Sequence, residues 1–134
     1  MILNGAHKGT AGFGLGQDPN FQAILYDPLQ PVNQRMSILN TTIVARMYHS
    51  EATLLQDGSV LVSGSDPQTP GLPEEHRIER YIPPYLNQGL PQPAFTITNK
   101  DWSYGQQVTI TVTSGNTANM RASLIGGTPF LLIH

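Results

Sequence analysis

Glycine and proline supply 24 of the 134 residues, 13 and 11 respectively, and cut most of the chain into short pieces. Short apolar and β-branched runs lie between them. A helix needs a longer periodic stretch than these pieces offer, whereas a strand does not, so the chain reads as all-β. The strongest local signal is the pair "SEATLLQ" and "SVLVSG" around Asp57-Gly58. Asp-Gly between two such runs predicts a hairpin closed by a two-residue type I′ turn, with φ positive at both central residues. On the returning strand Val60 and Val62 share one face, and Leu61 and Ser63 the other. Apolar residues on both faces (Leu54 with Leu55, Leu61 beside Val60 and Val62) predict a strand pair covered on two sides. A stacked-sheet or propeller architecture covers an inner hairpin in that way.

Further strands are expected at residues 22–27, 77–82, 94–98, 106–113 and 121–125. In "QVTITV" Val108, Ile110 and Val112 alternate with threonines, the pattern of a half-buried strand. The stretch "PPYLNQGLPQP" carries Pro83, Pro84, Pro91 and Pro93. Proline removes ladder donors and stiffens a connection. Glycine-rich loops and hairpins precede it, and threonine-rich strands typical of a β-sandwich follow. One domain fragment is therefore expected over residues 1–85 and a second over residues 93–134.

Composition narrows the function. Seven Lys and Arg face nine Asp and Glu, a net charge of −2. That leaves no basic field for nucleic acid or anionic lipid. No run of apolar residues is long enough to span a bilayer. The absence of cysteine excludes disulfides and thiolate metal sites within this stretch. "MILNGAHKGTAGFG" lacks the features of a signal peptide, and "SLIGGTPFLLIH" stops on an apolar run. Both ends read as cut from a longer protein. Asn40-Thr41-Thr42 is a glycosylation sequon, of consequence only in a secreted protein.

Tyr48-His49 is the candidate site. Both residue types are common in strands, and neighbours on a regular strand point to opposite faces. The two can reach one metal ion only where the alternation breaks, at a loop or bulge ahead of Ser50. There the chemistry is coherent. Imidazole suits divalent copper, and a phenolate held near a cation can act as a base toward a substrate hydroxyl. The remaining candidates read as structural. His7 lies in a glycine-rich loop and His76 in an exposed acidic turn with Glu74 and Glu75. Gly9, Gly12, Gly14 and Gly16 suit tight turns, since no helix follows to make a phosphate loop. Trp102 and Tyr104 read as packing at a sandwich edge, and Arg46 as a partner for a carboxylate or a backbone carbonyl.

Four stretches carry a family resemblance. "ARMYHSEATLLQDGSVLVSGSDPQTP" closely resembles the R-x-YHS-x-A-x-LLPDG-x-V segment of the copper radical oxidases, the glyoxal oxidases and the related galactose oxidase. "NGAHKGTAGFG", "AILYDP" and "RIERYIPPYL" resemble, in order, the family's glycine loop, a blade strand and its exit from the propeller. The resemblance implies a seven-bladed kelch-type β-propeller followed by an immunoglobulin-like early set β-sandwich. Residues 1–85 would be the last blades and residues 93–134 an incomplete sandwich. It also implies one copper ion and a tyrosyl radical on a tyrosine cross-linked to cysteine. Small aldehydes or primary alcohols would be oxidised, with O2 reduced to H2O2, by a secreted full-length parent. Tyr48 matches the axial copper ligand and proton acceptor, and His49 an equatorial ligand. The cysteine and the radical tyrosine belong to earlier blades. The second copper histidine follows an "SLI" strand in the family, and His134 does not match it in spacing or neighbours. The chain alone is therefore expected to be inactive. A non-catalytic propeller and immunoglobulin-like module that binds carbohydrate or protein is the alternative expectation, and a truncated product without function a third.

Overall fold

The computed structural model describes residues 1–68, 70–118 and 120–124. Among them are small antiparallel sheets, two short 3-10 turns (Val32–Gln34 and Pro84–Leu86) and no α-helix. The chain divides into two compact units, Met1–Pro84 and Tyr85–His134.

In the first unit β1 (Ala6–Gly9) pairs with β2 (Gly16–Pro19), and β3 (Gln22–Tyr26) with β4 (Met36–Thr41). A three-stranded sheet runs in the order β5 (Ser50–Leu54), β6 (Val60–Gly64), β7 (Glu79–Tyr81). In the second unit β8 (Ala94–Ile97) pairs with β9 (Ile110–Ser114). Strands expected at 22–27, 94–98 and around Asp57-Gly58 are present. That at 77–82 shortens to β7, and that at 106–113 starts only at Ile110. Residues 121–124 form no strand, and residue 125 lies outside the described residues. The short strands β1 and β2 escape a pattern search. Glycine, lysine, aspartate and proline show no alternation there, and the pair is held through backbone bonds.

The hairpin is real but its turn differs from the expected type I′. Leu55 N donates to Ser59 O (2.8 Å) and Gly58 N to Leu55 O (3.0 Å). Of the two central residues only Gly58 has positive φ, 84°. This is a three-residue loop ending in a left-handed glycine. The reason lies in the Asp57 carboxylate, which accepts from Ser59 N (2.9 Å) and Ser59 Oγ (2.6 Å). The aspartate thus bonds the backbone two residues on, as in an Asx turn, and its φ is not positive. Arg80 on β7 caps the same group, donating to Ser59 Oγ (2.8 Å) and to Asp57 Oδ2. The Ser59 hydrogen bonds first, and then Arg80, hold the Asp57 carboxyl below its ordinary range.

The core of the first unit is small: Ala23, Val44, Met47, Val60 and Val62. Val60 and Val62 share the buried face of β6, as their spacing predicts. Inside this core sits a charge. Arg46 is 1% exposed. It donates to Glu79 Oε2 (2.9 Å), Gly64 O (2.7 Å) and Arg77 O (2.7 Å). The other oxygen of Glu79 accepts from Thr42 Oγ1 (2.5 Å). One guanidinium thus ties the segment before β5 to the end of β6 and to the entry of β7. Both partner types expected for Arg46 are used at once.

A buried cation removed from its partners leaves unsatisfied acceptors and an uncompensated carboxylate. Arg46→Ala is expected to cost about 3 kcal/mol. Arg46→Lys is expected to cost nearly as much, because an ammonium cannot span three acceptors in one plane. Urea unfolding followed by circular dichroism checks this. A loss below about 0.5 kcal/mol, the range of ordinary surface substitutions, would contradict it.

Candidate metal centre

Residues 47–50 form a tight turn immediately before β5. Ser50 N (3.2 Å) and Ser50 Oγ (2.7 Å) both donate to Met47 O. His49, the third residue of the turn, has φ 62°. A non-glycine residue in the left-handed region costs about 1–2 kcal/mol. It persists only where its surroundings impose it.

Those surroundings can be named. Gly5 N donates to Arg46 O (2.9 Å) and Asp66 N to Tyr48 O (2.8 Å). Met47 N donates to Ser65 Oγ (2.8 Å), and Asn4 Nδ2 to Ser50 Oγ (3.2 Å). Ser50 is paired opposite Gly64. Gly64 has φ 70°, and a Cβ there would stand 2.7 Å from His49 O. Glycine alone lets β6 approach the turn this closely.

The turn breaks the strand alternation, and its consequence is geometric. The Tyr48 and His49 rings are not on opposite faces; they stack at 4.1 Å between centroids and 25° between planes. Tyr48 is half-buried and His49 exposed. Both line a cavity of about 360 Å³, with Met47, Lys8 and the glycine-rich segment. That segment, the loop between β1 and β2, brings in a residue that the sequence reading missed. Phe13 meets Tyr48 at 5.1 Å and 81° and His49 at 4.9 Å and 89°. Its signal was an aromatic placed between two glycines, Gly12 and Gly14, in a motif read only as turns.

The other candidates stay apart. His7 lies on β1, exposed, rather than in the loop. His76 is largely exposed, its Nε2 3.3 Å from Glu74. The glycine-rich loop is followed by β2, not by a helix. Trp102 is 38% exposed and its Nε1 donates to Asn99 O (2.5 Å), whereas Tyr104 is fully exposed and does not form the packed edge expected of it. His134 lies outside the described residues. Among the described residues no three of His, Cys, Asp or Glu cluster as a metal site. No helix among them is long and apolar enough to cross a membrane.

The comparisons with known proteins agree with the four motifs. The family model described as "Glyoxal oxidase N-terminus" matches residues 1–85, and the chain belongs to the glyoxal oxidase family. A "WSC domain-containing protein" of Arthroderma benhamiae is 60% identical over 126 residues, 94% of this chain and 14% of that protein. "Aldehyde oxidase GLOX1" of Arabidopsis thaliana is 39% identical over 121 residues, 84% of this chain and 20% of its own length. "Aldehyde oxidase GLOX" of Vitis pseudoreticulata is 45% identical over 91 residues, 64% of this chain and 17% of its own. The chain thus spans only 14% to 20% of the length of these relatives. No solved structure gives a significant match.

The strain at His49 is open to direct test. His49→Gly is expected to leave stability unchanged or slightly raised. His49→Val is expected to lower it by about 1–2 kcal/mol, since a β-branched residue resists positive φ. Denaturant unfolding of the two variants gives the order, and equal stabilities would contradict the left-handed assignment.

Proposed function

We propose that this chain belongs to the catalytic region of a glyoxal oxidase-like copper radical oxidase and supplies Tyr48 and His49 as two of its copper ligands. One observation carries the reading: a strained turn presents a phenol and an imidazole as a stacked pair on the wall of one cavity. The donor chemistry fits. An imidazole nitrogen and a phenolic oxygen suit divalent copper. They make part of a ligand set, the rest of which would come from elsewhere in a protein several times longer.

Copper with its tyrosyl radical partner supplies, when bound, the two-electron oxidation of an aldehyde hydrate or primary alcohol, with O2 reduced to H2O2. The task of this chain's residues is positional and protonic. The turn stacks the two rings and places both residues on the wall of one cavity, from which the Tyr48 oxygen and a His49 nitrogen would serve as ligands. With the metal bound, the Tyr48 oxygen would accept the proton of the substrate hydroxyl.

On the same reading the first unit is the last blades of a kelch-type seven-bladed propeller, and the second the start of an immunoglobulin-like sandwich. Exposed apolar side chains support this, with Ile38 68%, Ile43 89% and Leu54 49% exposed in the first unit. Closure of a ring of blades covers such faces and protects strand edges. The full-length protein would be secreted and act on small aldehydes or alcohols. A second reading rests on the Arthroderma relative, which is named for a WSC domain and not for an activity. In that case the fold serves as a non-catalytic module binding carbohydrate or protein.

Copper(II) titration followed by electron paramagnetic resonance separates the two. The unsubstituted chain is expected to bind one ion with nitrogen coupling from a single imidazole. The double variant Tyr48→Phe, His49→Ala is expected to lose that signal, and equal binding by both would remove the metal assignment. Incubated with copper, methylglyoxal and O2, the chain alone is expected to form no H2O2, since the rest of the site is missing.

A further inference from the structure

We propose that Phe13 is a positioning residue that holds the Tyr48 phenol and the His49 imidazole in fixed relation to one another. The inference rests on the reading of these two as a ligand pair. Its geometric basis is a three-ring unit. Tyr48 and His49 lie nearly parallel, 25° apart, and Phe13 stands almost perpendicular to both, at 81° and 89°. Edge-to-face contacts of this kind are attractive and directional. A ring making two of them restricts the side-chain torsions of both partners together. His49 needs such a restraint, because it is exposed and no hydrogen bond holds its imidazole among those seen in the described residues. Phe13 itself is 49% exposed, so it is poorly explained as core packing.

The backbone keeps the wedge in register. Gly14 N donates to Pro67 O (2.6 Å), and Thr10 N and Leu15 O close the loop at 3.3 Å. The residue before Pro67 is Asp66, whose N–H donates to Tyr48 O. The loop that carries Phe13 and the turn that carries Tyr48 are therefore anchored on adjacent residues of one segment. A shift of that segment moves wedge and pair together, and the three rings keep their arrangement.

The full 134-residue chain, free of metal, is compared with Phe13→Leu, which keeps apolar bulk, and Phe13→Tyr, which keeps an aromatic ring. The readouts are the ring-proton chemical shifts of Tyr48 and His49 at fixed pH, and copper(II) affinity by paramagnetic resonance titration. Phe13→Leu is expected to move the His49 ring protons toward free-histidine values and to weaken copper binding about tenfold, the cost of ordering on binding a pair that Phe13 no longer holds in place. Phe13→Tyr is expected to preserve both. Unchanged shifts and affinity in Phe13→Leu would overturn the proposal. Copper binding that ignores His49→Ala would instead defeat the ligand-pair reading, and the metal-free shifts would still decide the role of Phe13. Should Phe13→Leu fail to fold, Overhauser contacts from the Phe13 ring to both partners in the unsubstituted chain decide, and their absence overturns the proposal.

Discussion

The first unit depends on where the Arg46 guanidinium goes. A charge placed in so small a core is tolerable only if its donors are met by acceptors. Here Glu79, Gly64 O and Arg77 O meet them from two strand segments far apart in sequence. The consequence is spatial. The end of β6 and the start of β7 are drawn around the residue that lies two positions before Tyr48. Met47, between them, packs into the core while its N–H donates to Ser65 Oγ. The chain reaches Tyr48 with its direction already set.

From there the geometry is forced step by step. Ser50 must pair with Gly64 to begin β5, and its hydroxyl and amide both close back on Met47 O. Two residues are left to make the reversal, and the second of them takes positive φ. Glycine would be the cheaper occupant. A histidine there costs stability, and what the chain gains is a ring placed beside that of its neighbour rather than across the sheet from it. Gly64 completes the arrangement from the other side, since any Cβ would press on the His49 carbonyl. Strain at one position and the absence of a side chain at another are parts of one device.

Much of this was legible in the residues, and the limits have physical causes. The break in alternation ahead of Ser50 could be read only as a condition, since neighbours on a regular strand point to opposite faces and Tyr48 and His49 could share one ion only if the alternation failed. The valine face of β6 followed from period two. Asp57-Gly58 marked the hairpin, but its turn type depended on a serine two residues after the aspartate and on an arginine 23 positions on, and propensity alone does not weigh those. The strands β1 and β2 are joined by backbone pairing and one exposed Lys8–Asp18 ion pair (3.6 Å), and their side chains show no period-two alternation. Arg46 could be expected to meet a carboxylate or a carbonyl, but not three acceptors together. Phe13 was invisible as a site residue because its partners lie more than 30 positions away. The family, by contrast, was plain from four short motifs in order, and the match over residues 1–85 shows it.

Before any metal arrives, the turn already sets the two rings side by side. The most direct measurement is nuclear magnetic resonance of the metal-free chain: Overhauser contacts between the Tyr48 and His49 rings, with the amide-to-Hα coupling of His49. The account predicts strong ring-to-ring contacts and a coupling in keeping with φ near 62°. Rings without mutual contacts, with His49 in an extended conformation, would contradict it.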